Sequence, residues 1–194
     1  MINEPTSEAR ARVLHVAERL FSERGYAAVT LRDIAGELGI KAASLYNHAP
    51  GGKEELFIAV TERSFVRHQA GIEAAINAAS ADIRSQLQHV AHWLLTQPPM
   101  NWQRMAHSDM PSIAHEQAER LMQLFAQATL MPIQHAVIVA AQRGEVNGQH
   151  ASMLAGTFLV AIEALRDIVQ YTDTSLEDMV DHLIDLLLDG VRPR

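Results

Sequence analysis

Apolar residues return every three or four positions along most of this chain, the spacing of helices that bury one face. Val13, Leu14, Ala17, Leu20 and Phe21 form the first such stripe. It predicts a helix capped by Thr6 or Ser7, running to Arg24 and ended by Gly25. Thr30 and Asp33 then stand at capping-box spacing, predicting a helix from about Leu31 with Ile34 and Leu38 on one face and Gly39 as its left-handed terminus. Ile40 lies in the following turn. A further helix over Ala42 to His48 turns Leu45 inward, and Ala49-Pro50-Gly51-Gly52 stops it. Lys53-Glu54-Glu55 opens a fourth helix, its early carboxylates suiting the positive end of the dipole. Leu56, Val60 and an Ala-rich run extend that helix to Ala79.

Downstream the same period continues. Asp82 caps a helix with Ile83, Leu87, Val90, Leu94 and Leu95 inward, ended by Pro98-Pro99. A short segment spans Asn101 to Ser108. A long pattern then runs from Ser112 to Arg143, kinked at Pro132 and closed by Gly144. Two last helices cover 149–171 and 175–189. The fold class predicted is all-α, about nine helices in total, with no internal repeat and no low-complexity segment.

Residues 30–48 read as two short helices joined by a glycine-bearing turn, a helix-turn-helix. The second helix has the chemistry to read a DNA groove. Asn47 can pair bidentately with adenine and the methyls of Ala42 and Ala43 can touch thymine. Lys41, Ser44, Tyr46 and His48 can donate to phosphates or base edges. Lys53, beside free amides at a helix start, can hold a phosphate.

The order of these features resembles the TetR family of transcriptional regulators. The matching residues are Ala17 to Tyr26, Thr30-Leu31-Arg32-Asp33-Ile34-Ala35, Leu38-Gly39-Ile40, Ser44-Leu45-Tyr46 and Lys53-Glu54-Glu55-Leu56, within the first 57 residues. The resemblance implies a three-helix DNA-binding domain over 7–54 and a larger helical ligand-binding and dimerisation domain over 55–194. It implies phosphate contacts from Thr30, Lys53, Tyr46 and His48, and groove-facing roles for Lys41 to Ser44 and Asn47. Arg32 joins the DNA-binding set as a nearby cation. Two features depart from the family: Asn47 and Ala49 stand where aromatics are common, and the link from His48 to Lys53 is one residue longer.

Charge adds a qualification. The net charge is −7, and residues 1–55 hold seven Lys/Arg against eight Asp/Glu, so there is no broad basic footprint. DNA affinity must then come from a few placed cations, Arg10, Arg12, Arg32, Lys41 and Lys53. Zero cysteines exclude disulfides and thiolate metal sites and agree with a reducing, cytoplasmic setting. No signal-peptide pattern and no uninterrupted apolar run long enough for a bilayer is apparent, which predicts no membrane association. Phosphate loops, nucleophile elbows and His-Glu-x-x-His are absent, so neither an enzyme nor a cofactor is predicted.

The best alternative is a metal-binding helical protein using His89 and His92, three apart on one helix, with His107, His115, Asp109 and Glu116 as further ligands. A helical interaction module that no longer binds DNA is another. The preferred reading is a repressor, released from a palindromic double-stranded DNA operator by a small, largely apolar ligand of unknown identity. Trp93, Met100, Trp102, Met105, Met110, Met122, Phe125 and Phe158 are the predicted pocket residues, since both tryptophans fall beside a methionine cluster and Met adapts to varied shapes. The last two helices carry more apolar residues than one face needs. Packing them against a twofold copy buries the excess, with Ala155, Leu159, Ile162, Leu183, Leu186 and Leu187 in a homodimer interface.

Overall fold

The computed structural model describes residues 8–191, which are helical almost throughout, with no strand among them. The predicted all-α class stands. The Thr6 or Ser7 cap lies outside the described residues. By packing, the chain forms two compact units, one of residues up to Ser64 with Met100–Met122, the other of Phe65–Pro99 with Gln123–Arg194. The sequence boundary at 54/55 follows the motif, whereas packing divides the chain within two long helices.

In the first unit α1 (Glu8–Arg24) buries Val13, Leu14, Ala17, Leu20 and Phe21, the stripe read from the sequence. Helix α2 (Leu31–Leu38) begins at a complete capping box. Asp33 N donates to the Thr30 hydroxyl and Thr30 N donates to the Asp33 carboxylate at 2.7 Å. It ends in a Schellman motif: Gly39 adopts φ 67°, its N–H bonds to Gly36 O, and Ile40 N–H bonds to Ala35 O. Helix α3 (Ala42–Leu45) is shorter than predicted. Regular helix stops at Leu45 and Tyr46–His48 continue as tight turns, because Pro50 drives the chain out of helical geometry. Helix α4 (Gly52–Ala78) follows at once. Its Phe57 ring stacks edge-on against Phe21 at 5.3 Å and lies 4.9 Å from Tyr26, closing a small aromatic core.

The same unit holds α6 (Trp102–Arg104), which runs into a π turn at Met105–Asp109 and a 3-10 turn at Met110–Ser112. Arg104 donates to the carbonyls of Phe21 and Ser22 at 3.1 and 2.6 Å, supplying donors that the end of α1 lacks. Asp109, almost fully buried, accepts from Tyr26 N–H at 2.8 Å and lies 3.5 Å from Arg104 Nε. Local sequence reading missed this buried pair, because its partners are some eighty residues away.

In the second unit α5 (Ile83–Thr96) starts where Asp82 accepts from Ser85 N–H at 2.8 Å and buries Ile83, Leu87, Val90, Ala91 and Leu94. Its last carbonyls are held by Arg166, which donates to Leu94 O at 2.7 Å and Gln97 O at 3.0 Å. Helix α9 (Ala151–Ile168) packs against α5, α8 (Met131–Gln142) and α10 (Leu176–Asp189), with Phe158, Leu159 and Ile162 at the centre of the core.

Helix α7 (His115–Phe125) continues through a π turn at Ala126–Leu130 into α8. The predicted disturbance at Pro132 takes this form: Pro132 has no N–H to donate to the preceding turn, and a π turn absorbs the mismatch. The helical run His115–Gln142 has 28 residues and is long and apolar enough, by length and composition, to cross a bilayer. That corrects the sequence expectation. A protein core helix meets the same criterion, and here Leu121, Ile133, Ala136, Val137 and Ala140 are buried within the protein.

Candidate nucleic-acid interface

Leu45 is the inward anchor of α3, 1% exposed, and Ile34 and Ala35 of α2 are equally buried. With those three committed to the core, the remaining side chains turn outward. Thr30, Arg32, Lys41, Ala43, Tyr46 and Asn47 are exposed, while Ala42, Ser44 and His48 are half-buried. Tyr46 stands 53% exposed although nothing in the chain's packing requires a large ring in solvent. An exposed aromatic, a lysine and an amide on one short turn present donors to phosphate and base edges.

Two of the predicted cations have protein partners. Lys53 Nζ donates to Tyr26 O at 2.9 Å and lies 4.1 Å from the centre of its ring. Burial pushes the Tyr26 phenol above its usual pKa, and the Glu54 carboxylate adds to that shift. Arg10 donates to the carbonyl of His48 and lies 3.7 Å from Glu55, tying α1 to the turn that follows α3. Arg32 and Lys41 remain exposed.

The eight predicted pocket residues fall in different places. Trp102, Met105 and Met110 are buried in the first unit, and Met100 and Met122 belong to it as well. In the second unit Phe158 is fully enclosed by the core and the Phe125 ring lies 6.0 Å from Phe65. Trp93 lines an open groove of about 910 Å³ between α4, α5 and α10. The signal for that groove was Gly71: a Cβ there would lie 1.9 Å from Trp93 Cζ2, so the glycine is what lets the indole lie against α4.

Of the predicted interface residues, Ala155, Leu159 and Ile162 are 0 to 1% exposed in the chain's own core, and Leu183 and Leu187 are half-buried against it. Leu186 is 72% exposed. Among the described residues no three His, Asp or Glu side chains are grouped as a metal ion requires. His89 Nδ1 sits 2.9 Å from Ser85 O, His115 pairs with Glu119, and Asp109 is held by Tyr26 and Arg104.

The family model described as "Bacterial regulatory proteins, tetR family" matches residues 13–60, the stretch from α1 through the helix-turn-helix into α4. Residues 13–60 form a DNA-binding domain of the TetR family. An HTH-type transcriptional regulator of Bacillus subtilis, YxaF, itself uncharacterised, is 49% identical over 51 residues, 26% of this chain and 27% of the relative. The repressor KstR2 of Rhodococcus jostii is 37% identical over 82 residues, 42% of this chain and 39% of the relative. The match thus spans about a quarter and two fifths of those two relatives. A transcriptional regulator from Saccharomonospora viridis, solved in complex with choline, has the same fold, with TM-score 0.74 and 22% identity over 97% of this chain and all of that one.

Within this TetR-family domain, Ala49 is 1% exposed, so a methyl fills the position expected to be aromatic, under the turn that follows α3. The longer link is accommodated by Gly52, whose φ of 72° begins α4. Glu55 also steadies it, accepting from Gly51 N–H at 2.7 Å.

Proposed function

We propose that this TetR-family chain is a homodimeric transcriptional repressor that binds a palindromic DNA operator and is released by a small, largely apolar ligand. In this reading residues 7–54 bind DNA, and residues 55–194 bind ligand and dimerise. The observation that carries it is the outward set of Thr30, Arg32, Lys41, Ala43, Tyr46 and Asn47 around a helix-turn-helix whose cap, turn and Leu45 anchor are complete. Arg32, Lys41, Tyr46 and Asn47 in that set are polar or charged, exposed, and not required by the core. The repressor sense is supported by the name of the KstR2 relative. Ligand responsiveness is supported by the groove beside Trp93 and by the choline complex of the structural neighbour.

A twofold dimer presents two recognition turns to half-sites about one DNA turn apart, or a multiple of it. Selection from a random duplex library at low salt tests the reading. An enriched inverted repeat, with Tyr46→Ala weakening every sequence and Asn47→Ala altering base preference, supports it. Failure to enrich any palindrome overturns it.

A further inference from the structure

We infer that the groove between α4, α5 and α10 binds an alkylated ammonium ion, an inference that rests on the ligand-responsive reading above and names the class of its ligand. The floor is a stripe of small residues on α4, Gly71, Ala74, Ala75 and Ala78, at one-turn spacing. Small side chains leave an apolar trough that accepts an alkyl chain. Trp93 forms the wall, its indole set against Gly71 and held edge-on by the buried His68 at 5.3 Å. A fixed indole is the best side-chain partner for an organic cation.

Across from it, α10 contributes Glu177 and Asp181, four residues apart on one face. Gln88 donates to Asp181 at 2.6 Å and Arg84 lies 3.9 Å from it, so that carboxylate is already oriented. Glu177 makes no hydrogen bond or ion pair among the described residues. Nor is it needed to cap α10, whose first turn is served by Ser175 and Asp178. Among the described residues no lysine or arginine lines the groove. An anionic ligand would meet two carboxylates there, and a neutral one would leave Glu177 unused. His89 and His92 stand on the α5 rim. At about 910 Å³ the space suits a small molecule.

The test is calorimetry on the full chain. The probes are octyltrimethylammonium, octanoate and octyl glucoside, which share a tail and differ in head group. The cation is expected to bind at least about tenfold tighter than either analogue. Glu177→Gln should weaken it about fivefold and flatten its salt dependence. Ala74→Phe, at an exposed position that leaves folding intact, should fill the trough and abolish binding. Equal affinity for the three head groups overturns the inference. So does cation binding that both variants leave unchanged, which would put the cation elsewhere. Operator titrations on the same protein separate this from the reading it rests on. Cation binding with operator affinity unchanged supports the ligand class and removes release by it; absent operator affinity removes the regulator and leaves the calorimetry to decide the groove.

Discussion

Lys53 Nζ donates to Tyr26 O and sits over the ring of the same residue, so the first turn of α4 is pinned to the connection between α1 and α2 by one side chain. The ammonium has three donors and the Tyr26 carbonyl takes one, so the group can hold its fold contact and still face an anion. Lys53→Met therefore loses two things at once. Expected is a stability loss of about 1–2 kcal/mol, from a charge-assisted hydrogen bond and a cation–π contact, together with weaker binding to all duplexes. Lys53→Arg should retain more of both. Thermal unfolding beside DNA titration checks this; unchanged melting in the Met variant would show that the contact contributes nothing to the fold.

Lys53 also shows where sequence reading stops. Helix identity along the chain was legible because period, caps and terminators are local, as with the Thr30 box and the Gly39 terminus. The role of Leu45 as an anchor followed from its neighbours' polarity. What Lys53 touches was not legible, since Tyr26 is 27 residues away. Arg104 and Asp109 escaped for the same reason. On α9 the apolar pattern predicts Ala155, Leu159 and Ile162 as an outward face, but apolar composition alone does not say which side of an all-round hydrophobic helix meets its own core. Trp93 was singled out for its neighbours in sequence, whereas its groove depends on Gly71 of another helix.

The Asp109 carboxylate, almost fully buried, joins a backbone amide and a guanidinium. Asp109→Ala strands the Tyr26 N–H and the Arg104 charge together, and Arg104 is partly exposed, so the expected loss is about 2–3 kcal/mol rather than the upper range for buried pairs. Asp109→Asn keeps an oxygen for Tyr26 N–H and should lose about 1 kcal/mol. Urea unfolding monitored by helical signal separates the two. Equal losses would mean that the amide contact with Tyr26 contributes nothing beyond the charge.

Acid should act on α2 through its cap. The Thr30 hydroxyl and backbone N–H hold the Asp33 carboxyl below its ordinary value of 3.8. A depressed folded pKa means that the stabilisation is complete above the unfolded value and is lost as pH falls through the folded one. Wild type and Asp33→Asn should therefore differ by a constant amount near neutrality and converge below the ordinary carboxylate range. Melting temperatures at steps from about pH 6 to about pH 2.5 measure the difference. A gap that persists to the acid end would assign the effect to something other than the ionised carboxylate.

Met153, Val160 and Tyr171 are 63, 59 and 83% exposed. Together with exposed Thr157, Ala164 and Ile168 they recur at intervals of three and four, forming one stripe along α9 and the turn that follows it. On α10 Leu186 is exposed beside half-buried Met179 and Leu183. A stripe of this length, apolar at its large positions and small between them, suits a twofold four-helix bundle. The groove residues Glu177 and Asp181 lie about half a turn of α10 away from it, so dimerisation leaves the groove open. Leu186→Arg and Val160→Arg should each yield a monomer with unchanged helical content and weakened operator binding. Leu159→Arg, by contrast, puts a charge into the chain's own core and should unfold it. Light scattering of the unmodified protein comes first. A monomer at micromolar concentration would remove the interface, and the palindromic operator that depends on two recognition turns held at a fixed spacing would fall with it.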